Sequence, residues 1–131
     1  MKLHTKALMS SAALVMLAAG LVTTFAPQEL LAHYGGAAAA VPVLVVQATG
    51  ALFLGFAMLN WMAKDNLIGG IYSRPVAMGN FVHFFVLAAA LVKAVAGGHT
   101  QTAILAATAV YVVFTVWFGL VAFTSPLPKD A

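Results

Sequence analysis

The chain contains no cysteine and only three acidic residues, Glu29, Asp65 and Asp130. Without a thiol there is no disulfide, no thiolate metal site, no iron-sulfur ligation and no cysteine nucleophile. The three acids fall in connecting segments or in the tail, so no Ser-His-acid constellation can form. A proton-coupled cation exporter is excluded on the same ground, because it needs a carboxylate at membrane depth. Histidine is scarce too: His4, His33, His83 and His99 make up the whole set. A bis-histidine haem needs two buried imidazoles at similar depth on different helices, and only His83 lies well inside an apolar run. No glycine-rich loop leads into Lys-Ser or Lys-Thr, so there is no phosphate cradle of the nucleotide-binding type.

Charge of either sign is rare. Charged residues make up 7% of the chain, against about 25% in an average soluble one, and hydrophobic residues make up 63%. With a mean hydropathy of +1.03, this composition is that of an integral membrane protein. A length of 131 residues suits one domain. The net charge of +3 does not signal nucleic acid, since six basic residues spread along the whole sequence form no patch.

Four apolar runs stand out, at about 7–26, 37–62, 75–97 and 102–124, each long enough to cross a hydrocarbon core of about 30 Å. The first follows the basic start MKLHTK and so resembles a secretory leader. It exceeds the usual apolar core of about 7–15 residues, and a cut after Ala26 would leave Pro27 at the new terminus, so a retained helix is expected. Residues 26–36, APQELLAHYGG, read as a loop in which Pro27 stops the first helix. Pro75 stands in the first turn of the third run, and Gly97-Gly98 ends it. Gly69-Gly70 breaks the chain before the third run, and Pro126 and Pro128 close the fourth. The expected fold is all-α, a polytopic four-transmembrane-helix bundle. Lys2, Lys6, Lys64, Arg74 and Lys129 fall on one side and only Lys93 near the other, so the positive-inside rule places both termini in the cytoplasm.

Small and polar residues at helical spacing then suggest which faces meet. On the third run Gly79, His83, Val86, Ala90, Lys93 and Gly97 form one stripe, which leaves Phe81, Phe84 and Phe85 for the other faces. Matching stripes are Thr108, Tyr111, Thr115 and Gly119 on the fourth run, Ala13, Leu17, Gly20 and Thr24 on the first, and Gln47, Gly50, Ala51, Leu54, Met58 and Trp61 on the second.

The candidate ligand-binding residues are the polar groups of this seam: His83, Asn80, Asn60, Lys93, Gln47, Thr108, Tyr111 and Thr115. An imidazole at membrane depth can relay a proton, ligate a metal or haem, or contact a quinone headgroup. It can also simply hydrogen-bond a neighbouring helix, and no second histidine shares its depth. Lys93 can snorkel to the interface or bind an anion with Gln47 and Thr108. His33 and His99 lack a carboxylate or cysteine partner for a metal, and Met58, Met62 and Met78 read as filler rather than copper ligands, so no metal site is expected. Asn60, Trp61, Lys64 and Asp65 read as an interfacial anchor.

Phe25, Pro27, Leu30 and Leu31 in the pattern F-x-P-x-x-L-L, then Gly35, followed by Gly50-Ala51-Leu52-x-Leu54-Gly55, resemble the DoxX-like group of small bacterial four-helix membrane proteins. The resemblance implies a four-helix bundle in a bacterial cytoplasmic membrane, with some relatives associated with quinone-linked redox complexes. It supplies no catalytic motif. The expected function is that of a non-enzymatic accessory or assembly subunit of a larger membrane complex, with the bilayer and other membrane proteins as partners and homo-oligomerisation compatible with so small a bundle. The alternative is a membrane-embedded binder of a quinone, lipid or anion at His83 and the polar face of the fourth run.

Overall fold

A computed structural model describes residues 2–36, 39–66 and 73–124. These form five helices, α1 (Lys2–Phe25), α2 (Pro27–His33), α3 (Ala40–Ala63), α4 (Arg74–Ala96) and α5 (Thr102–Phe123), and no strand is present among the described residues. All but α2 are long and apolar enough to cross a membrane. The expected glycine break at 69–70, the proline stop at 126–128 and the start of the second run at 37 lie outside the described residues.

Two boundaries differ from expectation for clear reasons. Helix α1 starts at Lys2 rather than residue 7, because the basic start carries no helix breaker and continues the helix beyond the apolar run. Residues 27–33 are helical rather than loop. Pro27 stands at the first turn of a new helix, where its missing N–H costs least, and Glu29 in that turn suits the positive end of the helix dipole. The helix ends where Gly35 takes φ +73°, with the Gly36 N–H bonded to the Leu31 carbonyl (2.7 Å) and the Gly35 N–H to that of Ala32 (3.3 Å). This is a Schellman closure. The same device ends α4. Gly98 takes φ +96°, and the His99 and Gly98 N–H groups bond the carbonyls of Ala94 and Val95, both at 3.0 Å.

The chain gathers into two compact units, residues 9–62 and residues 1–8 with 63–131. In the first, α1 and α3 run antiparallel: Met16 faces Asn60, Gly20 faces Leu54, and Thr24 faces Gly50. The glycines are what allow the backbones to come close. A Cβ on Gly20 would lie 2.8 Å from Leu54 Cγ, and one on Gly50 would overlap Thr24 Oγ1 and come within 2.9 Å of the Thr24 backbone nitrogen. Glycine at a contact lets two helices gain dispersion without a hydrophobic driving force, as membrane helices must.

In the second unit α4 packs on α5. Phe84 is the centre of that hairpin, fully buried, with Phe114 stacked on it (centroids 4.8 Å apart), Phe118 stacked at 5.5 Å and Tyr111 tilted at 5.1 Å. Each such pair contributes about 0.5–1.5 kcal/mol beyond its buried area. The buried face of α4 is therefore Ala77, Asn80, Phe84 and Ala88. This corrects the expected rotation, in which the stripe through Val86, Ala90, Lys93 and Gly97 points inward. All four of those residues are exposed. Aromatic rings win the interior here because stacking on α5 offers them more contact than small side chains can give. On α5 the expected stripe is half right: Tyr111 is buried and Gly119 lies under Phe81, but Phe114, Phe118 and Ala122 complete the core.

An ion pair also belongs to this unit. Lys6 Nζ lies 2.6 Å from Asp65 Oδ1, both side chains more than half exposed. The hydrogen bond from Lys6 holds the Asp65 carboxyl below the usual carboxylate range, with the charges of Lys6 and Lys64 acting in the same direction.

Candidate functional site

The helical periodicity of α4 and α5 brings two of the candidate residues together. Tyr111 Oη lies 3.5 Å from His83 Nε2, with the rings tilted at 46° and their centroids 5.8 Å apart. The imidazole also meets the edge of Phe84 at 5.1 Å, so the aromatic core fixes the ring from one side. His83 is half-buried and Tyr111 buried. At 3.5 Å the pair stands at the outer limit of a hydrogen bond. Either group can donate, depending on the histidine tautomer.

The other members of the expected seam direct their donors elsewhere. Thr108 donates to the Ile104 carbonyl and Thr115 to that of Tyr111, both at 2.7 Å. Each hydroxyl proton is thus engaged in its own helix, four residues back, which leaves only acceptor capacity for a ligand. Asn80 is fully buried and its amide donates to the Val76 carbonyl at 2.9 Å, again one turn back. Lys93 is exposed in the last turn of α4, where its charge suits the negative end of the helix dipole.

Asn60 and Gln47 belong to the α1–α3 unit. Asn60 is fully buried and its Nδ2 approaches Met16 Sδ at 3.7 Å. Gln47 Nε2 reaches the Thr24 carbonyl at 3.5 Å. Thr24 Oγ1 is buried with no hydrogen-bond partner among the described residues. Met16 is the residue the sequence did not single out: a thioether set among apolar neighbours carries no sign that it faces a buried amide.

The structure also holds a groove that contains none of the eight candidates. It has a volume of about 470 Å³ and is lined by Ala13, Leu14 and Leu17 of α1 and by Leu54, Ala57, Met58 and Trp61 of α3. No family model, no curated protein and no solved structure matches the chain. The reading of function therefore rests on the residues themselves.

Proposed function

We propose that this is a small multi-pass membrane protein of the bacterial cytoplasmic membrane, with both termini cytoplasmic, acting as a non-enzymatic accessory or assembly subunit of a larger membrane complex. Four helices of spanning length support the membrane placement. The Lys6–Asp65 pair supports a common side for the N-terminus and the segment after α3, as the distribution of lysine and arginine requires. Kinship with the DoxX-like group is part of this proposal.

The observation that carries the accessory role is the outward face of α4. The small residues Ala90 and Gly97 lie along it beside Val86 (60% exposed) and Lys93, outside the aromatic core of their own hairpin. Lipid tails are as apolar as leucine, so a helix has no need of small residues to meet them. A second helix does, because close approach is what drives association in a bilayer. Thr108 and Thr115 commit their hydroxyl protons to carbonyls of their own helix, which fits a packing role better than a catalytic one.

Purification of the tagged native protein in mild detergent, with mass spectrometry of the retained proteins and lipids, tests the proposal. Larger membrane subunits should stay bound to wild type and to His83→Ala, and should be lost from Ala90→Phe, which places a bulky ring on the outward face. A chain that purifies free of other subunits overturns it.

The contact between His83 and Tyr111 favours one further reading, a binder of a quinone or other small ligand at that pair. The same preparation decides it, since a stoichiometric quinone or lipid retained by wild type and absent from His83→Ala is the expected signature.

A further inference from the structure

We draw no further inference here: the strongest candidate, the apolar groove between α1 and α3 that runs from Leu54 to Trp61, is an open face, and nothing in the structure shows what covers it.

Discussion

Gly50 and Gly55 stand on the same face-poor helix, five residues apart, yet alanine at each should move stability in opposite directions. At Gly50 the new Cβ would overlap Thr24 Oγ1, lie 2.7 Å from Thr23 Oγ1 and 2.9 Å from the Thr24 backbone nitrogen. The hydroxyls can rotate away, but the nitrogen belongs to α1 itself, so the two helices must part. Overpacking of this kind costs about 1–3 kcal/mol, and a contact against backbone belongs at the upper end. Alanine recovers about 1 kcal/mol through its better helix propensity, so Gly50→Ala should destabilise by about 2 kcal/mol net. At Gly55 nothing lies within 4 Å, only the propensity acts, and the substitution should be neutral or stabilise by up to about 1 kcal/mol. Reversible unfolding in mixed micelles of rising sodium dodecyl sulfate content, followed by far-ultraviolet circular dichroism, measures both. Adding Thr24→Ala to Gly50→Ala removes the overlap with Oγ1 but leaves the nitrogen in place, so recovery should be partial. A Gly50→Ala protein as stable as Gly55→Ala would refute the close antiparallel contact between α1 and α3.

The buried, unpartnered hydroxyl of Thr24 should make Thr24→Val neutral or stabilising by about 1 kcal/mol in the same assay, because valine keeps the shape and removes a polar atom that lacks a partner. Phe84→Ala should cost about 3–5 kcal/mol and Phe85→Ala less than about 1, since the first ring is fully buried in the stack and the second is half exposed; equal losses would count against the rotation of α4. The folded state holds the Asp65 carboxyl below its ordinary value, so the contribution of the Lys6–Asp65 pair is present above about pH 4 and lost as pH falls through the depressed value. The difference in stability between wild type and Asp65→Asn should accordingly shrink on acidification, and also with added salt, because both groups face solvent; a difference that grows at low pH would sink the assignment.

Length and apolarity made the four long helices legible, and glycine and proline chemistry made several of their ends so: Pro75 in the first turn of α4 and Gly98 at its αL closure stand where the sequence suggests. The rotation of the helices was not legible. A helix that meets water on one side carries a polar stripe that reports its buried face, whereas one that is apolar all round carries no such record. Phe84 and Phe85 make the point, being identical neighbours of which one is fully buried and the other about half exposed. Only the side chains of α5 decide between them. Helix α2 was missed for a different reason, since Pro27 both ends one helix and starts another, and a single proline does not say which. Asn60 and Asn80 stand out in the sequence as polar residues of the seam, but Asn60 reads there as an interfacial anchor and is instead fully buried. That Asn60 meets the Met16 thioether follows only from the packing.

The way the polar groups are satisfied bears on what the chain does. A proton path through a bilayer needs donors and acceptors passed from one helix to the next, each free to hand its proton onward. Thr108 and Thr115 instead return their hydroxyl protons to the preceding turn of the same helix, which is how a polar side chain is made tolerable in an apolar setting without linking one helix to another. The His83–Tyr111 contact crosses between α4 and α5, and it is long. Thr108 and Thr115 therefore hold no free proton for such a relay. Such a seam is suited to holding helices at a fixed spacing, and the small residues left on the outside of α4 extend the same principle beyond the chain's own hairpin to a neighbour that must also come close.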